Sequence, residues 1–304
     1  MPTLHPLSAA ALFNLKDWVV VVTGGGTGVG LMIAQTLAAN GARVYITGRR
    51  ADVLETSARV HGSKDKLGEN GGEILPLVMD VTDKESIKNA VSKFEAKEGY
   101  LNVLVNNAGI FKGRPTASPS DGPEIFGAAM FAEAEDNWQE SFRTNTTSLY
   151  LVTAAFLPLL AKAASSPAKQ VGNVINNASV SGLLRMTQRQ QYSYNTSKAA
   201  TLHLTRQMAF DLSHENINIR VNGLALGYFP SEMTTGTSND ENESSHDAEG
   251  FRGFMEMMGV KVVKRMGTAR ELASIVLALA TNEYIWGTVN IIDGGFALTV
   301  PGNM

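Results

Sequence analysis

The chain contains no cysteine in 304 residues, which excludes disulfides, thiolate nucleophiles and any cysteine-ligated metal centre. Its five histidines fall at no metal-ligand spacing. Basic and acidic residues number 26 and 29, are interspersed, and leave a formal charge of −3 without a basic stripe for nucleic acid. The N-terminus lacks a basic patch followed by an apolar stretch, and no apolar run is expected to approach the length of a bilayer crossing. These absences lead us to expect a cytoplasmic protein with neither a membrane nor a nucleic acid as partner.

What is present is core-forming material. Hydrophobic residues make up 44% of the chain, enough to bury a large core in one domain. Short apolar, β-branched runs alternate with helical patterns. Strands are expected near residues 18–23, 42–47, 73–79, 101–106, 171–177, 217–223 and 288–292. That alternation predicts an α/β fold built on a doubly wound parallel sheet. Residues 1–14 read as a loosely ordered N-terminal extension, and residues 15–304 as a single domain.

The first strand runs into Gly24-Gly-Gly-Thr27-Gly28-Val29-Gly30, followed by an apolar helix that ends at Asn40-Gly41. A glycine turn between strand and helix presents backbone N–H groups and the positive end of a helix dipole to a pyrophosphate. The spacing fits neither Gly-x-Gly-x-x-Gly nor a P-loop, since no Gly-Lys-Ser/Thr follows. Farther along, Tyr194 and Lys198 stand four apart in a helical stretch and therefore share a face. An ammonium beside a phenol favours the phenolate, so the pair predicts a tyrosine of lowered pKa able to exchange a proton with a substrate oxygen.

In order along the chain stand Thr23-Gly-x-x-x-Gly-x-Gly30, Asn106-Asn107-Ala108-Gly109, Ser179 and Tyr194-x-x-x-Lys198. With these the sequence resembles the short-chain dehydrogenase/reductase family over roughly residues 15–297, and is similar to its 3-oxoacyl reductase-like fungal members. The resemblance implies a Rossmann-type seven-stranded sheet of order 3-2-1-4-5-6-7. It implies that Gly24, Thr27, Gly28, Val29 and Gly30 hold the cofactor phosphates, and that Asp80 and Val81 meet the adenine ring. Asn106, Ala108 and Gly109 would line the same site, with Gly227, Phe229 and Ser231 after strand six. Tyr194 would donate the proton, and Ser179 would bind the carbonyl oxygen, with Ser181 as the alternative. Lys198 would also hold the nicotinamide ribose, and Asn145 would position a water leading from Lys198 to solvent. Two departures stand out: Leu226-Gly227 replaces the family's Pro-Gly, which would loosen that loop, and Ser231 replaces a threonine.

At the end of the second strand, where an NAD enzyme wants a carboxylate, the chain has Gly48-Arg49-Arg50. An arginine there pairs with a 2′-phosphate, so NADP(H) is the expected cofactor and Arg49 its reader, with Arg50 on the helix surface.

The substrate cavity is expected from Leu183, Leu184, Met186, Tyr192, Tyr228, Phe229, Phe251, Phe254 and Met255. It would have no paired arginines, with Gln188, Arg189, Gln190 and Gln191 at its rim. Residues 231–259 would form a lid whose polar part, 237–247, is mobile and whose Phe/Met stretch is an amphipathic helix. The substrate is then a medium-sized, mostly apolar ketone: a β-keto ester, a 3-oxoacyl thioester or an aryl ketone. The alternatives are a secondary-alcohol dehydrogenase, a reductase of an imine or enone, and a non-catalytic cofactor-binding scaffold. The family's habits further imply a homotetramer or dimer through helices near 138–163 and 193–214.

Overall fold

Val19–Thr23, the first strand (β1), is buried along its whole length. Its side chains alternate between two cores, Val20 and Val22 on one face and Val19 and Val21 on the other. The computed structural model describes residues 5–245, 247–260 and 262–299. The expected extension (1–14) and the domain's C-terminal end thus lie partly outside the described residues, as does His246 of the expected polar run.

Six further strands are β2 (Arg43–Gly48), β3 (Glu73–Val78), β4 (Val103–Asn106), β5 (Asn173–Asn177), β6 (Arg220–Leu226) and β7 (Val289–Ile292). All pair in parallel in the order 3-2-1-4-5-6-7. The helices in chain order begin with α1 (Ala9–Leu12), α2 (Gly28–Ala39), α3 (Ala51–His61), α4 (Lys64–Leu67) and α5 (Lys84–Glu98). Next come α6 (Pro123–Phe131), α7 (Glu135–Phe142), α8 (Ser148–Ala161) and α9 (Tyr192–Leu212). The last are α10 (Glu232–Thr235), α11 (Ala248–Met257), α12 (Ala269–Thr281) and α13 (Phe296–Thr299). Leu37 of α2 and Val276 of α12 pack on one sheet face, while Phe94 of α5, Phe156 of α8 and Met208 of α9 pack on the other.

Two expectations need correction. Strand six starts three residues later than the pattern suggests. Asn218 takes a left-handed φ of 53°, and the N–H of Ile219 folds back to the carbonyl of Leu212 at 2.9 Å. The strand proper opens on Arg220, which is 1% exposed and donates to the carbonyls of Leu279, Ile285 and Ala280. A charged residue at a strand start reads as surface in sequence, but here it closes α12 onto the sheet. The second correction concerns the helical run Glu135–Ser165, which contains a window of mean hydropathy 1.4 and is long and apolar enough to cross a membrane. Its apolarity has a local cause, because Leu149, Val152, Phe156, Leu159 and Leu160 are all buried in the core.

Candidate active site

The strands' carboxyl ends open onto two joined cavities. At the end of β1 the Thr23 hydroxyl accepts the N–H groups of Asn107 and Ala108 at 2.9 and 3.0 Å, tying β4 to the glycine turn. The turn is built for backbone approach. A Cβ on Gly30 would sit 2.1 Å from the carbonyl oxygen of Gly24. Gly28 has φ +51°, and its Cβ would lie 2.8 Å from the Cβ of Ser231.

A cleft of about 870 Å³ runs from this turn and the N-terminus of α2 to Arg49, Asp80 and Val81 on one side and Tyr194 and Lys198 on the other. Gly24, Thr27, Gly28, Val29, Gly30, Ala108, Gly109, Ser179, Gly227, Phe229 and Ser231 also line it. A side-chain-free cradle at a helix N-terminus, with cations at one end, fits a dinucleotide with its pyrophosphate on the turn.

Asn106 is not part of that lining. It is 1% exposed, and its amide donates to Thr153 Oγ1 and Asn176 Oδ1, both at 2.9 Å. The strand's two-residue period turns Asn106 into the core and Asn107 out to the cleft. Asn107 Nδ2 then donates to the carbonyls of Thr23 and Gly24.

Asn145 also stands behind the cleft. It sits in a π-helical turn, Arg143–Thr147, between α7 and α8. Its side chain bridges the N–H and C=O of Ile110 at 2.8 and 2.9 Å and donates to Ser197 Oγ. Its carbonyl accepts the Thr201 hydroxyl at 2.7 Å. The residue thus fastens the loop after β4 to α9.

On α9, Lys198 is 3% exposed and Nζ donates to the carbonyl of Asn177 at 2.9 Å. Burial lowers its pKa to about 8. Tyr194 shifts against the direction expected from the lysine: burial pushes its phenol up to about 12, opposed only in part by the hydrogen bond with Ser179. Desolvation dominates at both groups, and the ammonium is directed at a carbonyl and not at the phenol.

Ser179 caps the short 3-10 turn Val180–Gly182, accepting the Ser181 N–H at 3.1 Å. Leu226 lies at the same place, and its carbonyl accepts the Ser179 hydroxyl at 3.4 Å. The loop that lacks proline is held by β7, as the Gly227 N–H donates to Ile292 O at 2.9 Å and Leu226 pairs with Ile292.

The second cavity, about 550 Å³, shares Ser179, Tyr194, Leu226, Gly227, Met233 and Thr234 with the first. Of the residues expected to line it, Tyr228, Phe251 and Phe254 do so. Leu183, Leu184, Met186 and Met255 instead pack in the hydrophobic cluster beneath α11, and Phe229 faces the cofactor cleft. Phe111, Met233 and Met266 complete the wall. Arg189 borders it, as expected of the rim, and so do Arg114 and Asp247. The run Gln188-Arg189-Gln190 is left-handed throughout (φ 51°, 68° and 61°), a backbone cost of about 1–3 kcal/mol per residue that turns Gln188 Nε2 onto the Tyr228 hydroxyl at 3.1 Å. Arg189 lies over the Phe254 ring at 5.5 Å.

Near the adenosine end, Arg50 is paired with Glu232 at 3.0 Å, while Arg49 is exposed in the cleft with no hydrogen bond or ion pair among the described residues. Asp80, whose carboxyl is penalised by burial but held below the usual range by Thr82 and the nearby Arg49 and Arg143, is a counter-charge near it.

Comparison with known proteins agrees with this geometry. The family model for short chain dehydrogenases matches residues 18–242. The short-chain dehydrogenase/reductase PhomF of Diaporthe leptostromiformis is 34% identical over 98% of this chain and 97% of its own. The rhamnolipids biosynthesis 3-oxoacyl-[acyl-carrier-protein] reductase of Pseudomonas aeruginosa is 32% identical over 97% of this chain and all of its own. Among solved structures, the Pseudomonas aeruginosa RhlG/NADP active-site complex superposes with a TM-score of 0.73, at 30% identity over 96% of this chain and 99% of that one. The chain belongs to the short-chain dehydrogenase/reductase family, nicotinamide-dependent oxidoreductases acting on small molecules.

Proposed function

We propose that the protein is an NADPH-dependent carbonyl reductase acting on a medium-sized, mostly apolar ketone. The observation that carries this reading is the junction of the two cavities: the hydroxyls of Ser179 and Tyr194 border both the dinucleotide-sized cleft and the aromatic one. A bound nicotinamide dinucleotide supplies the hydride to the carbonyl carbon. Charge then develops on the carbonyl oxygen, where two placed hydroxyl donors stabilise it. Tyr194, protonated at neutral pH, gives that oxygen its proton and the product is an alcohol. Ser179 donates to the same oxygen and orients it. Lys198, fixed to Asn177, presents an ammonium toward the ribose side of the cleft, and Asn145 holds the wall behind it.

Arg49, in the cleft without a partner among the described residues and next to the position where an NAD enzyme would carry an acid, supports NADP(H) over NAD(H), as does the NADP complex of the Pseudomonas relative. The 3-oxoacyl activity named for the other Pseudomonas relative supports a 3-oxoacyl compound among the candidate ketones. The test is NADPH and NADH consumption measured side by side on β-keto esters, 3-oxoacyl thioesters and aryl ketones. Turnover with NADPH well above NADH is expected. No turnover of any ketone, with NADPH bound, would overturn the reading.

A further inference from the structure

The polar stretch expected to be mobile is tied down, and to an unexpected place. Leaving β6, the chain sets Ser231 against Gly28 of the glycine turn. Glu232 then pairs with Arg50 at the start of α3 and also accepts the Ser238 hydroxyl at 2.9 Å. Beyond α10 the chain reaches α3 itself. Asn242 Nδ2 donates to the carbonyl of Val53 at 3.1 Å and to Ser57 Oγ at 2.8 Å. His61, 1% exposed, has Nδ1 against Gln35 Nε2, which leaves its other nitrogen, Nε2, to donate to the carbonyl of Glu241 at 2.7 Å. The carboxylate of Glu241 approaches Lys66 of α4 at 3.6 Å. The tip is folded on itself, with the N–H groups of Glu241 and Glu243 both donating to Asn239 Oδ1.

Three points connect this strap to the cofactor. Glu232, Met233 and Thr234 line the dinucleotide cleft, as do Arg50 and Val53 opposite them. Ser57, which holds the strap's tip through Asn242, donates its own hydroxyl to the carbonyl of Gly26 in the glycine turn at 2.6 Å. Both anchors on α3, Ser57 and His61, are buried and so are shielded from the water that would compete for an exposed polar contact. The strap's Met233, Thr234 and Thr235 also border the aromatic cavity, but α11, which gives that cavity Phe251 and Phe254, begins only after the strap has ended.

We propose that residues 231–243 form a clasp over the bound dinucleotide, with Asn242 and His61 as its positioning residues, and that the hold of the clasp on α3 sets how fast the cofactor leaves. The clasp requires a nicotinamide dinucleotide in the cleft, which follows from the family, and does not require that it be NADPH. Opening it needs the α3 contacts to break, while the wall that Phe251 and Phe254 of α11 give the aromatic cavity stays in place.

Asn242 has a left-handed φ of 62°, so Asn242→Gly removes the anchor and keeps the backbone. Release of NADPH, and separately of NADH, is followed by stopped-flow displacement with excess oxidised cofactor. The variant is expected to release cofactor about 5- to 150-fold faster, the loss of two net hydrogen bonds, with the KM for the ketone changed less than the release rate. An unchanged release rate, or a raised ketone KM with release unchanged, would overturn the clasp. Amide exchange of the wild type gives an independent reading: residues 231–243 should gain protection with cofactor alone, and exchange there that is indifferent to cofactor would sink the proposal. Failure of the wild type to bind either dinucleotide would overturn the cofactor assignment and the clasp together, whereas preference for NADH would overturn only the NADPH reading.

Discussion

Lys198 Nζ lies 5.8 Å from the centroid of the Tyr194 ring and gives its hydrogen bond to the carbonyl of Asn177, not to the phenol. One helical turn brings the two residues to one face, and burial keeps the phenol protonated, pushed up to about 12. A protonated tyrosine suits the reductive direction, in which the oxygen must receive a proton. Tyr194→Phe removes that proton and no packing atoms beyond one hydroxyl. Its kcat should fall about 10²- to 10⁴-fold, the usual range for a lost general acid, with dinucleotide affinity within a fewfold of wild type. Steady-state kinetics and fluorescence titration check both halves, and near-normal turnover would remove Tyr194 from the role.

The same burial makes a stability prediction for Lys198. Its folded pKa, about 8, lies below the ordinary lysine value of 10.5. Between those values the unfolded chain binds more protons than the folded one, so stability rises with pH across that window. The penalty is therefore complete below about pH 8 and is relieved by about pH 10.5. Its size is roughly 3 kcal/mol, from 1.36 kcal/mol per unit. Lys198→Met abolishes the charge and should flatten the denaturant midpoint between pH 8 and 10, where wild type climbs. An equal climb in both proteins would show that another group is responsible.

Arg49 and Arg50 are adjacent in sequence but differ in company. Arg50 is committed to Glu232, whereas Arg49 faces the cleft without a partner among the described residues. Arg49→Ala should weaken NADPH binding about 10- to 100-fold, the worth of a charge-assisted hydrogen bond, and leave NADH nearly unchanged. Arg50→Ala should weaken both dinucleotides to a similar, smaller extent, because it loosens the contact with Glu232. Coenzyme affinities by isothermal titration separate the two outcomes, and equal losses of NADPH and NADH with Arg49→Ala would reject it as the 2′-phosphate reader.

The sheet was readable because buried parallel strands are apolar on both faces, a pattern that β1 carries from Val19 to Val22. Position within a strand was less readable. Asn106 and Asn107 are identical in type, and only the pleat, fixed by the pairing of Val105 with Val22 and of Asn106 with Asn176, decides which enters the core. The role of Arg220 was unreadable for a related reason, since its acceptors, the carbonyls of residues 279, 280 and 285, are far away in sequence. The strap was hidden by composition: a run of Ser, Asn and Glu reads as solvated unless α3 is known to lie beside it. Asn106→Ala should thus destabilise the fold, by about 1–3 kcal/mol for the unpaired Asn176 and Thr153 groups it leaves behind. Cofactor affinity should hardly change, and a selective loss of affinity without loss of stability would return Asn106 to the cleft.

Ser179 and Ser181 are two residues apart and hydrogen-bonded to each other at 3.1 Å. Both border the aromatic cavity, but only Ser179 also borders the cofactor cleft and shares a hydrogen bond with Tyr194. The donor to the carbonyl oxygen must stand where both cavities meet, since the reacting carbon faces the hydride source there. Ser179→Ala removes that donor and also the cap on the Ser181 N–H, and should lower kcat about 10²-fold or more, as loss of an oxyanion donor does. Ser181→Ala keeps the Ser179 hydroxyl, which retains the Leu226 carbonyl as an acceptor, and should cost less than about tenfold. The Ser179→Ala enzyme should in addition show a Tyr194 titration moved further upward, because the hydrogen bond that lowers its pKa is gone. If instead Ser181→Ala is the slower of the two, the roles of the serines are exchanged.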